Sequence, residues 1–352
     1  MNKIIVPAGY MGSGSSAITD LLSEIEGIDT KNGTFEYVFL HCPNGVFDLE
    51  DKLLLGNNSM RSDEALNSFY EEMWCLYQRK NYWAGNYRRH ISPEFINYVE
   101  SFLRKLCVAT FEDTYWYYTQ KPVNYRMQAR YYCSRILGKL SNGNVKIKTP
   151  LQRSMMSIAF PAADAYYDAA KEFLSDVLKD LGLTKNSIVV DQLLLPHNLF
   201  RIPNYFEENL RVIVVERDPR DVFILNKYLW FPKQNAVPYP LDAKDFALFY
   251  KHMRMAERIQ EDDRILRIYF EDLVYRYDQT VEKIMAFVGC EPAQHVRKKE
   301  RLNPSVSIKN TQLFRIHDTY ASEASVIAAE LPEYLYDFPE EIIIRGGIEE
   351  LF

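Results

Sequence analysis

The sequence predicts an α/β fold carrying a large, mainly helical insertion, and three observations lead there. A short apolar strand, a glycine turn and a helix open the chain. Apolar strands ending in polar residues recur after residue 186. Between them, residues 41–185 are sparse in glycine and dominated by helical spacing. The organisation that follows is a core formed by residues 1–40 and 186–352, interrupted by an insertion at 41–185.

The opening element is Lys3-Ile4-Ile5-Val6-Pro7-Ala8, read as a buried strand, followed by the turn Gly9-Tyr10-Met11-Gly12-Ser13-Gly14-Ser15-Ser16. Ala17 to Ile25 has Ile18, Leu21, Leu22 and Ile25 on one helical face, with Asp20, Ser23 and Glu24 on the other. Turn amides and the unpaired donors of a helix's first turn converge on one point, which makes an anion cradle suited to phosphate. Gly12 and Gly14 let the backbone come close, and Ser13, Ser15 and Ser16 add hydroxyls. Gly9 and Gly14 have Walker A spacing, but Ser15 stands where the phosphate-reaching lysine belongs, which argues against an ATPase or kinase.

At 352 residues the chain can bury a sizeable core. Its 25 Tyr and 20 Phe give a high aromatic share, and a net charge of −6 disfavours general affinity for nucleic acid or acidic membranes. Five scattered cysteines without a CxxC pair suggest free thiols in a reducing, cytoplasmic compartment and no zinc site. The turn arrives too early for a signal peptide, and no run approaches the ~18 apolar residues that span a bilayer. No metal is expected, because the carboxylates and histidines lack a ligand spacing.

Gly33 to Leu40 reads as a second strand. Glu36 within it either faces solvent from a sheet edge or projects into a cleft at the strand's carboxyl end. In the insertion, helices are expected over Ser62–Arg79, Ser92–Leu106, Asn124–Leu140 and Ala162–Leu181, with a short strand at Asn144–Pro150. Aromatics interleave with cations from Trp74 to His90 and again at Tyr115–Tyr118. Such rings are core by default, yet they also suit a wall for a polar organic acceptor. The core resumes with strands at Ser187–Gln192, Arg211–Glu216 and Arg264–Phe270. Asp218 and Pro219 fit the cap and first turn of a helix, leaving Arg217 at a strand end where its fork could grip a second phosphate. A helix from Tyr277 to Phe287, a basic and hydroxyl-rich run from Arg297 to Thr311, and a closing helix over 321–337 complete the chain.

GYMGSGSS after a strand, VIVVERDPRDV, LRIYFEDLV and NPSVSIKNTQLF occur in the order found in PAPS-dependent sulfotransferases, and the chain resembles that family outside the insertion. The resemblance implies a P-loop-like parallel β-sheet flanked by helices, PAPS (3′-phosphoadenosine 5′-phosphosulfate) as donor, and in-line sulfuryl transfer to an acceptor hydroxyl or amine. By position, Gly12, Ser13, Gly14, Ser15 and Ser16 would hold the 5′-phosphosulfate and Arg217 the 3′-phosphate. Ser305, Ser307, Lys309 and Asn310 would belong to a late loop closing over the nucleotide. Glu36 matches a catalytic glutamate of the carbohydrate-sulfating branch. Three departures stand out: the loop's lysine or arginine is Gly12; a serine that usually partners the 3′-phosphate is Leu225, with Asn226 as its neighbouring substitute; and a Lys-Thr-His segment has no clean match at Asp191-Gln192.

A sulfuryl-transfer site needs a base for the acceptor's proton. Glu36 is the first candidate and His197 the second. The acceptor is expected to be a hydroxyl on a glycan or glycolipid, with a phenol or sterol fitting the same description. Nucleotide-dependent phosphoryl transfer and a catalytically degenerate nucleotide-binding scaffold are the alternatives.

Overall fold

The computed structural model describes residues 2–78, 84–112, 114, 125–143 and 155–339. Its main sheet has five strands: β1 (Ile4–Gly9), β2 (Ile28–Asp29), β5 (Ser187–Val189), β6 (Leu210–Glu216) and β7 (Ile265–Tyr269). They lie in the order β2-β5-β1-β6-β7, and every neighbouring pair is parallel. Two further strands, β3 (Ala109–Glu112) and β4 (Met155–Ile158), form a separate antiparallel ribbon in the insertion. All six residues of β1 are buried, as a central strand covered on both faces requires.

The period of two along β1 divides the core. Ile4, Val6 and Ala8 face the insertion, while Ile5 faces α1 (Ser16–Ser23). The insertion supplies α2 (Ser59–Gln78), α3 (Phe95–Leu106), α4 (Tyr125–Leu140) and α5 (Ala163–Asp180), each close to its expected span. Among its described aromatic residues, Tyr87, Phe95, Phe102 and Phe173 are core and pack ring on ring in the cluster that includes β1, while Tyr125, Tyr131 and Tyr132 are exposed. Trp74 stacks with Tyr70 and tilts against Tyr77 nearer the surface. Asn144–Pro150 and Tyr115–Tyr118 lie outside the described residues.

After β6, Asp218 caps α6 (Pro219–Ile224) by accepting the Arg220 amide, as expected. Then come α7 (Ala243–Met255), α8 (Phe270–Tyr275), α9 (Tyr277–Val288) and α10 (Asp318–Glu330). The closing helix starts and ends earlier than expected, and Pro332 opens a 3-10 turn just beyond it. No helix among the described residues is long and apolar enough to cross a membrane.

Two segments differ from expectation. Gly33–Leu40 is not a strand; β2 takes the sheet edge beside β5. The segment crosses the carboxyl end of the sheet, with the Tyr37 amide on the Asp191 carbonyl at 2.9 Å. Phe39 and Leu40 are buried, so this apolar run reports core packing rather than a ladder. Glu24, on the helix face read as polar, is also fully buried. Its carboxylate pairs with His295 Nε2 (2.7 Å) and accepts the amides of Lys299 (3.1 Å), Arg301 (2.7 Å) and Leu302 (2.9 Å). One side chain therefore docks the late basic run onto α1. Glu24→Ala strands these donors and is expected to cost about 3 kcal/mol of stability. Urea denaturation measures it, and a midpoint equal to that of the unaltered chain would show that the docking carries no weight.

Candidate active site

The loop after β1 is built on two backbone positions that favour glycine: Gly12 at φ 81° and Gly14 at φ 90°. Close neighbours fix both. A Cβ on Gly12 would lie 2.7 Å from the Trp230 ring, and one on Gly14 2.9 Å from the Phe270 ring. Ala17 donates to the Gly14 carbonyl and Ile18 to the Ser15 carbonyl, both at 3.0 Å. The amides just before them sit where a helix offers no internal acceptor. Ser15 Oγ accepts from Gln192 Nε2 at 2.8 Å. Ser13 is turned beneath the loop, 2 % exposed, with no partner for Oγ among the described residues.

Gly12, Gly14, Ser15 and Ser16 form one wall of a cavity of about 760 Å³ at the carboxyl end of the sheet. Arg217 forms the adjoining wall. It is 4 % exposed, with Nη1 on the Gly12 carbonyl at 3.1 Å, Nη2 on the Asn310 carbonyl, and the guanidinium 4.7 Å from the Phe270 ring centre. Its Nε has no partner among the described residues. Burial lowers its pKa, opposed by Asp221, Glu271 and Asp218. Burial in turn raises Asp221, and it lifts Glu271 to about 8 against the pull of Arg217. Asp221 holds the amides of Gln312 and Leu313, both at 2.7 Å, fixing the chain just beyond Asn310.

The opposite wall is acidic. Asp20, Glu36 and Asp191 line it, with Thr34 and Gln192 beside them. Burial raises the pKa of Glu36, and burial lifts Asp191 to about 7. Lys233 and Arg301 add cations to the lining, and neither has an ion pair among the described residues. The described residues hold no group of three or more His, Cys, Asp or Glu placed for a metal.

The expected site residues divide accordingly. The loop, Glu36, Arg217, Ser307 and Asn310 share the cavity; Ser305 and Lys309 are exposed and do not line it. Asn226 is 0 % exposed and gives Nδ2 to the Tyr239 carbonyl, because the π-helical stretch Leu225–Trp230 turns it into the core. His197 lies outside the cavity too. It lines a separate apolar groove and meets Tyr10 edge-on at 5.9 Å. Sequence reading passed over Asp20, Asp191, Trp230, Lys233 and Arg301. Only the polar end of the β5 run pointed toward Asp191, and no periodicity marked the others.

The residues present fit a nucleotide with phosphates at both ends. The glycine- and serine-rich loop and the Arg217 guanidinium meet in one cavity, and unpartnered buried atoms on Ser13, Arg217, Gln192 and Asn310 cluster about it. Residues 192–323 match the family model described as the sulfotransferase domain, a span that takes in Arg217 and Asn310 and starts after the loop, Glu36 and Asp191. No curated protein matches the chain by sequence. Among solved structures it is similar to the sulfotransferase domain from the curacin biosynthetic pathway, at 12% identity over 96% of this chain and 99% of that one, TM-score 0.39. A sulfotransferase from Mycobacterium avium matches at 13% identity over 95% and 76%, TM-score 0.37. A retinol dehydratase in a complex with retinol and PAP matches at 12% identity over 96% and 84%, TM-score 0.33.

The raised carboxyls have a consequence for stability. Glu271 and Asp191 keep their protons in the fold to a higher pH than in the unfolded chain. Their contribution is therefore complete below about pH 4 and is lost as pH rises through the folded values of about 7 and about 8. The thermal midpoint is expected to be lower at about pH 9 than at about pH 6, and Glu271→Gln to flatten the decline. A midpoint that rises over that interval contradicts the assignment.

Proposed function

We propose that the chain is a PAPS-dependent sulfotransferase that sulfates a hydroxyl of a carbohydrate or glycolipid, with Glu36 as general base, a reading supported by the sulfotransferase-domain match at residues 192–323. One observation carries this reading: the serine-rich loop, Arg217 and Glu36 line a single cavity.

PAPS, when bound, supplies a sulfuryl group on a phosphate leaving group. The loop amides and the Ser15 and Ser16 hydroxyls hold that end in a preorganised cradle, where losing one donor typically costs ~3 kcal/mol of barrier. Arg217, with Ser307 and Asn310 near it, holds the 3′-phosphate as a permanent cation. Gly12 offers no charge at the leaving oxygen, and Lys233 and Arg301 bring positive charge to the same cavity. Glu36 takes the acceptor's proton. Its burial makes it a stronger base at neutral pH than an exposed carboxylate.

The acceptor side supports a sugar. Thr34, Gln192 and the three carboxyls offer hydrogen bonds to hydroxyls, and the Trp230 ring offers a face. The insertion at 41–185 serves as the acceptor-binding region in this reading. Its Tyr87 hydroxyl accepts the Val38 amide at 2.8 Å, and its His90 ring stacks on Phe35 at 4.0 Å, gripping the chain on both sides of Glu36. The five unpaired cysteines support a reducing, cytoplasmic compartment.

Transfer of label from ³⁵S-PAPS to a panel of oligosaccharides and glycolipids tests the function. Glu36→Gln is expected to leave binding of adenosine 3′,5′-bisphosphate within about twofold while lowering kcat by about 100-fold or more. Unchanged turnover removes Glu36 from the mechanism. Arg217→Met is expected to weaken bisphosphate binding by about 2 kcal/mol, read by calorimetry.

A further inference from the structure

β5 ends at Val189, and three residues later Gln192 adopts φ 55°, a left-handed conformation uncommon outside glycine. That turn is pinned on three sides. The Gln192 amide donates to the Pro7 carbonyl at 3.0 Å, its Nε2 to Ser15 Oγ, and its carbonyl meets His41 Nε2 at 2.8 Å. Backbone strain held this firmly is a feature of functional positions.

Asp191 is the residue the turn presents. It lines the donor cavity, yet it is only 3 % exposed. Oδ2 accepts from Thr19 Oγ1 at 3.0 Å, while Oδ1 has no partner among the described residues. Its carbonyl holds the Tyr37 amide, which fixes Glu36 next to it on the same wall. A buried carboxyl oxygen without a donor is costly unless something arrives to satisfy it. The other groups facing Asp191 are Asp20 from α1, with Arg301 of the late run acting on Asp20, and the Tyr37 phenol. Burial is the largest cause of the raised Asp191 value, Thr19 lowers it, and the Glu36 charge raises it. Two carboxyls on one wall that act on each other do not ionise independently.

We propose that Asp191 is a second catalytic carboxyl, contacting the acceptor hydroxyl beside Glu36 so that the two act as one proton-holding pair. This rests on the sulfotransferase reading above. In its working form the pair carries one proton and one negative charge. As the acceptor oxygen bonds to sulfur, the bond from sulfur to the bisphosphate oxygen breaks, and its electron pair leaves on the nucleotide. The hydroxyl proton passes to the pair, which becomes neutral and later returns a proton to water. Thr19 is a positioning residue: its hydroxyl holds Oδ2 and fixes the Asp191 carboxyl at the cavity wall.

The test uses the full chain, ³⁵S-PAPS with the oligosaccharide panel, and ¹³C-carboxyl NMR. In the unaltered protein Asp191 is expected to titrate near 7, and in Glu36→Gln at lower pH. Asp191→Asn is expected to lose about 100-fold in kcat while binding adenosine 3′,5′-bisphosphate normally. Activity needs an ionised member of the pair and disappears as pH falls through its pKa. Removing the Thr19 hydrogen bond in Thr19→Val raises that pKa, so the acidic limb should move to higher pH. An Asp191 signal that ignores Glu36→Gln, or Asp191→Asn turnover within about threefold of the unaltered protein, overturns the pair and leaves the sulfotransferase reading standing. Failure of the unaltered protein to label any acceptor in the panel overturns the carbohydrate reading and the pair with it.

Discussion

A buried guanidinium holds the site together. Arg217 bridges the Gly12 carbonyl of the first loop and the Asn310 carbonyl of the last, under the Phe270 ring. Taking an arginine out of water is costly, and Asp221, Glu271 and Asp218 offset that cost. Each does structural work as well. Asp218 caps α6, binds Arg220 and accepts the Tyr336 amide at 3.0 Å. Asp221 fixes the amides of Gln312 and Leu313, and Glu271 accepts the Asp218 amide at 3.0 Å. Burial raises both Asp221 and Glu271, while the Arg217 charge pulls each of them back.

Sheet topology explains why the serine-rich loop and Arg217 meet. β1 and β6 are adjacent and parallel, in register from Ile4 beside Leu210 to Gly9 beside Val215. The chain leaves both strands at the same edge, one into the loop and the other into Arg217. Ligands of open α/β sheets sit at these carboxyl ends. β5 flanks β1 on its other side, and the turn beyond it brings Asp191 to the cavity. Three neighbouring strands thus deliver a cradle, a cation and a carboxyl to one place.

Much of this was legible before the structure. Near-continuous apolar runs marked β1 and β6, since parallel strands inside a sheet are buried on both faces, and glycine spacing with the following helix marked the loop. Asp218-Pro219 announced a cap. Other features were not local. Glu36 reaches the cavity on a segment whose aromatics suggested a strand but which packs on the insertion's Tyr87. Glu24 sat on an apparently polar helix face because the residues that cover it lie some 270 positions later. Asn226 and His197 are chemically suitable, yet a π-turn buries one and Tyr10 stands between the other's groove and the cavity. Trp230 and Lys233 became visible only when distant segments closed around one space. Periodicity records which face is covered; it does not record by what.

The central claim is that one nucleotide spans the serine-rich loop and Arg217. Calorimetry comparing adenosine 3′,5′-bisphosphate with adenosine 5′-phosphate measures this directly. A buried arginine facing the 3′-phosphate predicts affinity at least about 10-fold tighter for the bisphosphate. Equal affinities for the two nucleotides would contradict it.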